Sequence, residues 1–527
     1  MLDLIVRGGT ILDGTGRSAF QADLAVEGDA VAAILRDDES RTAARAVAEI
    51  DASGLFVAPG FIDVHSHSDY TLVVDPRAMS AIHQGVTSEV VGNCGYGCFP
   101  IQDPQLGSTR IYGFTPSVPI TWRTAGEYFE RLEAAGPAVN VASLAPNGQL
   151  RLAVVGADER AATPAELRRM GEDLRQALDE GAWGLSSGLE YSGEGATTED
   201  EMTALCRVAA RAGRPYATHT RNRDEDATGA VREAIRTAEG AGARLQVSHL
   251  VPHRGMEDTD RCIAVVDEAA AQGVDVAFDM HTRLFGTTYL SAAVPADVLR
   301  GSPETIRGRL RDPSVRERVR SHRSVVSAPG DWDLVELLDN RVSPESGRKT
   351  IAELAAIRER TPIDVICDLL ADSADDFTQL MIILHYYSEE EQRRVFVHPR
   401  CVPGSDATDL ATDGPLADST FHGAYTWAAW FYRFMAREAG LLTPEEAVRK
   451  LSGQPAELMG IADRGVLREG AKADVAIFEP ESFGQAGTTY VPNQLATGMR
   501  HVIVNGVVTL TDGRLTGERG GRVLKSR

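Results

Sequence analysis

The sequence predicts an α/β protein whose body is a parallel, TIM-like (β/α) barrel, with a small sheet domain assembled from the two chain ends. Three observations carry this reading. Past Gly60, apolar runs of strand length alternate with Ala-, Arg- and Glu-rich stretches of helical length, the rhythm of βα units closing on a parallel sheet. Both chain ends instead hold short β-like runs broken by Gly-rich turns. Histidine, cysteine and aspartate recur at the C-terminal ends of the apolar runs, the rim where barrel active sites lie.

The elements follow in order. Leu4-Ile5-Val6, residues 23–26 and residues 31–34 read as strands of a small antiparallel sheet, with turns such as Asp13-Gly14-Thr15-Gly16 between them. Residues 61–64 open the barrel. Further strands are expected at 89–93, 139–142, 184–187, 216–219, 245–249 and 274–279, with helices over Glu199–Arg211 and Ala227–Ala241 completing βα units. From about residue 290 to 394 a long, charged, mostly helical insertion interrupts the rhythm, and the last barrel strand follows at 394–397 or at 401–406. Thr443 as N-cap, Pro444 at the first helical position and Glu446 three residues past the cap spell a helix start. Strand texture returns at 474–478 and 502–506. The expected ranges are therefore 1–57 and 465–527 for the terminal sheet domain, and 58–464 for the barrel with its insertion.

Composition limits the function classes. At 527 residues, 43% hydrophobic and 25% charged, the chain has the profile of a soluble globular protein. Its 54 basic against 76 acidic residues give a formal charge of -22, which repels nucleic-acid backbones and anionic membranes. The first residues lack the basic-then-apolar pattern of a secretory signal, and no apolar run approaches the ~20 residues of a membrane helix. A cytoplasmic protein acting on a small molecule is expected, with its oligomeric state left open. Six cysteines over this length do not make a disulfide framework, which leaves Cys94 free for metal or catalysis.

The chemistry gathers at strand ends. In Gly60-Phe61-Ile62-Asp63-Val64-His65-Ser66-His67-Ser68-Asp69, strand alternation turns His65 and His67 to one face and Val64 and Ser66 to the other. Two imidazoles on one face can grip a metal ion. Cys94 ends the second barrel run, His219 and His249 end later ones, and Asp406 lies in Gly404-Ser405-Asp406. Taken singly, a strand-end histidine is an ordinary polar residue and a buried cysteine a small hydrophobe; together they form a donor set of nitrogen and sulfur that favours zinc over magnesium or calcium. His83, His322, His385, His422 and His501 fall outside strand ends and keep the ordinary reading.

These segments, with 90–95, 184–189, Thr218-His219-Thr220-Arg221-Asn222, Val247-Ser248-His249-Leu250 and the tail from Asp463 to Asp474, resemble the D-aminoacylase (N-acyl-D-amino-acid deacylase) family of the amidohydrolase superfamily. The resemblance spans nearly the whole chain outside the insertion. It implies a metal-dependent (β/α)8 barrel with a β-sandwich made from both termini and one or two zinc ions. Cys94, His219 and His249 match the tighter metal position; His65 and His67, sharing Cys94, match a weaker one. Asp406 matches the proton-handling aspartate, and Glu190 falls where many relatives place an acidic or carbamylated bridging ligand, the other reading being a solvated loop carboxylate within Gly188-Leu189-Glu190-Tyr191. Zinc lowers the pKa of its water from ~15.7 to ~7; Asp406 would orient that water, take its proton and pass it to the departing amine, with Arg221 or His281 as further donors to the developing oxyanion.

The chain departs from the family where substrate is held. Val251 replaces the usual lysine after the Ser-His-x run, Asp279-Met280-His281-Thr282-Arg283 replaces Asp-Ala-Tyr-Pro-Tyr, and Pro146-Asn147-Gly148-Gln149-Leu150-Arg151 lacks the usual Gly-His. Arg283 is the expected substitute grip on a substrate carboxylate. The first reading is hydrolysis of an N-acyl-D-amino acid or close analogue; the alternatives are another amide, such as a cyclic amide or specialised metabolite, and a catalytically silent barrel used for binding.

Overall fold

The computed structural model describes residues 2–253, 255–327 and 330–526. Eight parallel strands form one sheet in chain order: Phe61–Asp63, Val86–Val91, Asn140–Pro146, Gly184–Gly188, Tyr216–His219, Leu245–Val247, Val276–His281 and Cys401–Gly404. The first and last strands meet just beyond their ends. There the Asp406 N–H donates to the His65 carbonyl and the His67 N–H to the Ala407 carbonyl, both at 2.8 Å. The cylinder thus closes at the rim that carries the chemistry.

Outer helices bury one stripe each. In Glu199–Arg211, Met202, Leu205, Cys206 and Ala209 face inward, and Thr198 and Glu201 close the N-terminus as a capping box. The same device begins Pro164–Asp179 at Thr163 and Glu166, and Pro444–Leu451 at Thr443 and Glu446. The strands between the helices and the barrel interior are buried almost throughout, as covered parallel strands must be.

Both chain ends share a nine-stranded sheet, joined where Phe56–Pro59 pairs antiparallel with Val475–Phe478. Leu4, Val6, Leu24, Val26, Val475 and Ile503 give it an apolar core of its own. The expectation of a purely antiparallel N-terminal sheet is corrected: Leu2–Ile11 also takes Ala46–Asp51 and Phe56–Pro59 in parallel.

Two further expectations change. Residues 394–397 are not a barrel strand, since Glu389–Phe396 is a helix opened by the Ser388/Glu391 capping box and carrying a Glu389–Arg393 pair one turn apart. Those local bonds override the β-branched Val395 and Val397, and the eighth strand is Cys401–Gly404. The insertion has its helices, but also a four-stranded antiparallel sheet of Gly286–Tyr289, Met381–Leu384, Val335–Leu337 and Lys349–Thr350. The chain leaving this sheet brings Tyr386 and Tyr387 to the barrel mouth, beside His253 and His281.

Candidate metal centre

Two groups of donor atoms converge at the C-terminal rim: His65, Cys94 and His249 in one, His65, His67 and Asp406 in the other, the ligand atoms of each within 4.8 Å of one another. The backbone is bent to bring them there. Past Asp63 the chain leaves the regular ladder but keeps its alternation, so that the rings of His65 and His67 are 5.4 Å apart while Ser66 turns away and donates to Glu89 Oε2 at 2.8 Å. Asp63 Oδ1 accepts the backbone N–H of His65 at 3.0 Å and of Ser405 at 3.1 Å, so one buried carboxylate pins both loops. Cys94, His249 and Asp406 have φ of 53°, 34° and 45°. Among the described non-glycine residues only eight take positive φ, and three of them supply this site; such strain gathers where function over-determines the backbone. Gly188 must be glycine, because a Cβ there would run into the Cys94 carbonyl oxygen.

Outer carboxylates fix which ring nitrogen faces inward. His219 Nε2 donates to Glu190 Oε2 at 2.8 Å, which leaves the Nδ1 lone pair 3.1 Å from His249 Nε2. His65 Nδ1 is 2.9 Å from Asp279 Oδ1, which turns Nε2 to within 3.2 Å of Cys94 Sγ; His249 Nε2 lies 3.6 Å from the same sulfur. Burial holds His219 below its ordinary pKa despite Glu190, and burial with Arg223 and His219 pushes His249 well below. For His65, burial is outweighed by Asp279 and Cys94, which raise it well above the usual value. The neutral His219 and His249 bring ring nitrogens within 3.1 Å of each other, an approach that a cation between them would stabilise. The donors fit zinc by type, and His65 and His219 are backed by carboxylates as metal-bound histidines are.

Asp406 faces the open side with its side chain 21% exposed, its Oδ1 3.3 Å from His67 Nε2 and 3.5 Å from His65 Nε2. Burial would raise its pKa, but His67, His65 and Arg283 hold it well below the carboxylate range. Neither His219 nor Glu190 belongs to a donor group: His219 reaches the cluster through its contact with His249, and Glu190 stands behind it on the ring edge away from His249, an orienting place rather than the expected bridging one. Arg221 is also corrected. Its Nε and Nη2 bind Glu233, and its remaining donors serve the Gly195 and Thr197 carbonyls, so it fastens a helix rather than an oxyanion. Arg283 lies in the site, but Nη1 serves the Ser405 and His422 carbonyls and Nη2 holds Asp406 Oδ2 at 2.9 Å, leaving those donors no substrate carboxylate to grip. His281 is 2% exposed with its ring 5.0 Å from that of Tyr387, and burial with Arg283 keeps it neutral.

Sequence reasoning passed over several neighbours. Asp279 supports His65 and accepts the His249 N–H at 2.8 Å; its place at the end of the seventh strand was the available signal. Tyr112 packs 4.6 Å from His67, Tyr191 4.5 Å from His219, and Tyr96 bridges the two, forming an aromatic wall. The Asn147–Gln149 departure is structural: Asn147 donates to buried Glu194, and Gln149 to the Gly97 and Gly107 carbonyls. His385 and His422 bind Glu336 and the Thr489 carbonyl away from the donors.

Beneath the His65 to His67 loop, Glu89 accepts the Ser66 hydroxyl and Asp409 the Ser80 hydroxyl, two buried carboxyls in one neighbourhood. Burial and Asp409 raise Glu89 well above the usual value, and burial raises Asp409 to about 6. A carboxyl with a raised native pKa contributes stability that is complete below its unfolded value of about 4 and is lost as pH climbs through the native value. Thermal melts should therefore fall from pH 5 to pH 9 in the wild type, and fall less in Glu89→Gln, whose amide oxygen can still accept from Ser66 but does not titrate. Parallel slopes for the two proteins would refute the raised Glu89 pKa.

The family described as amidohydrolase matches residues 48–320 and 407–510. N-acyl-D-glutamate deacylase of Alcaligenes xylosoxydans xylosoxydans is 32% identical over 99% of this chain and 96% of its own length. A crystal structure of D-aminoacylase superposes with a TM-score of 0.81 at 27% identity, covering 100% of both chains. That of N-acyl-D-glutamate deacylase from Bordetella bronchiseptica, complexed with zinc and a phosphonate that mimics the tetrahedral intermediate, gives 0.80 at 31% identity over 99% of each chain.

Proposed function

The chain belongs to the amidohydrolase family, and from that premise we propose that it is a zinc-dependent deacylase, hydrolysing the amide bond of an N-acyl-D-amino acid or close analogue to a carboxylate and a free amine. The observation that carries the reading is the convergence of His65, Cys94 and His249, with His219 Nδ1 3.1 Å from His249 Nε2, beside an ionised, partly open Asp406. The deacylase names of full-length relatives point the same way. We place the metal on Cys94, His219 and His249, with His65 and His67 available to a second ion. Such an ion, when bound, polarises a carbonyl oxygen and acidifies water.

The remaining work falls to side chains. Asp406 accepts a proton from the attacking water and, being a weak base, gives it up readily to the departing amine. Arg283 is its positioning residue, fixing Oδ2 and leaving Oδ1 toward the mouth. His281, buried with Nδ1 unpartnered, is the residue we assign to donate to the oxygen that becomes negative. Tyr96, Tyr112 and Tyr191 offer an apolar surface to the acyl group and exclude water there. Among the described residues no helix is long and apolar enough to cross a membrane; a cytoplasmic location is part of the proposal. We divide the chain at 1–57, 58–464 and 465–527.

The test is a turnover screen of zinc-loaded protein on N-acetyl-D-amino acids, their L-enantiomers and cyclic amides. Release of free D-amino acid, at least about tenfold faster than of L, is expected, since one such factor needs only about 1.4 kcal/mol of differential contact. Turnover of cyclic amides alone would move the substrate to that class and explain the Val251 departure.

A further inference from the structure

Arg223 lies two residues past Arg221 on the segment leaving the fifth barrel strand, and its side chain turns the opposite way, into the mouth. It is 8% exposed. Its Nη2 is held by the His249 carbonyl at 2.9 Å, the Val251 carbonyl at 3.0 Å and the Tyr387 hydroxyl at 2.7 Å, so the guanidinium plane is fixed between a proposed metal ligand and the aromatic residues of the insertion. Nε is buried without a partner, and Nη1 donates to no described residue. In contrast to Arg221 and Arg283, Arg223 makes no ion pair with a carboxylate among the described residues.

A fixed, buried guanidinium without an anion is an expensive arrangement, because a charge removed from water needs a counter-charge and filled hydrogen bonds. The two neighbouring acids turn elsewhere, Asp224 Oδ1 lying 3.3 Å from His253 Nδ1 and Glu190 Oε2 2.8 Å from His219 Nε2, so neither pairs with the guanidinium. We propose that Arg223 anchors the carboxylate of the substrate. This rests on the deacylase reading, in which the carboxylate sits two bonds from the scissile nitrogen and so must lie beside the metal ligands. Arg223 meets that requirement through its bond to the His249 carbonyl, and it occupies the neighbourhood where Val251 offers no cation. With the acid held there and the acyl group on the tyrosine wall, the amide carbonyl is left facing the donor cluster.

The experiment is calorimetric binding of N-acetyl-D-alanine and of its carboxamide to the zinc-loaded Asp406→Asn protein, which does not consume them, with and without Arg223→Met. The carboxylate should lose about 10- to 100-fold in affinity, the range for a hydrogen bond to a charged group, while the carboxamide changes little. Arg223→Lys should recover part of the loss, and unchanged zinc content shows that the His249 loop has kept its place. Equal losses for the two ligands, or none, overturn the anchor whether or not the wild type turns over. An Arg223-dependent preference for the carboxylate in a protein whose wild type releases no D-amino acid keeps the anchor and refutes the deacylase reading.

Discussion

Asp406→Asn should leave zinc bound and lower kcat by roughly 10²- to 10⁴-fold, the usual worth of a positioned general acid–base. The substitution preserves the shape that fills the space between His67 and Arg283 but removes the negative charge those groups hold ionised. An amide cannot take the proton of an attacking water, so kcat and kcat/KM should fall together. Metal content is not expected to move much, because Cys94, His219 and His249 retain their geometry. Zinc stoichiometry beside steady-state rates checks this, and a variant retaining more than about a tenth of the wild-type rate would assign proton transfer elsewhere.

Cys94→Ala should act through the metal instead. Cys94 is the sulfur at which His65 Nε2 and His249 Nε2 meet, at 3.2 and 3.6 Å, and it is 1% exposed. Its loss should weaken zinc by more than the about 10- to 100-fold that removing an outer supporting residue costs, and activity should follow occupancy. Cys98→Ala is the natural control, since Cys98 is buried in the apolar core four residues away and faces no donor. Competition with a calibrated chelator reads both. Equal affinity in the two variants would remove the sulfur from the site.

The barrel was legible because its signals are local: strand runs, Thr-Pro-x-Glu helix starts and glycine turns depend on neighbours a few residues away. The donor set was legible because strand ends share a rim, so residues as distant as His65 and Asp406 can be placed together from topology alone. The supporting contacts were not. Asp279 backs His65 across 214 residues and His253 rests on Tyr386, pairings that no spacing encodes. The three arginines make the point most sharply. Arg221, Arg223 and Arg283 look alike in sequence, yet Arg221 binds Glu233, Arg283 clamps Asp406, and Arg223 keeps donors open in the mouth. Where a long side chain ends is decided by which oxygens the fold brings within its reach.

The central claim is that the C-terminal rim holds zinc through one cysteine and neutral histidines, and X-ray absorption at the zinc edge tests it most directly. The account predicts one sulfur neighbour near ~2.3 Å and imidazole nitrogens near ~2.0 Å, with the sulfur absent in Cys94→Ala and retained in Cys98→Ala. A wild-type spectrum with nitrogen and oxygen neighbours only would contradict it.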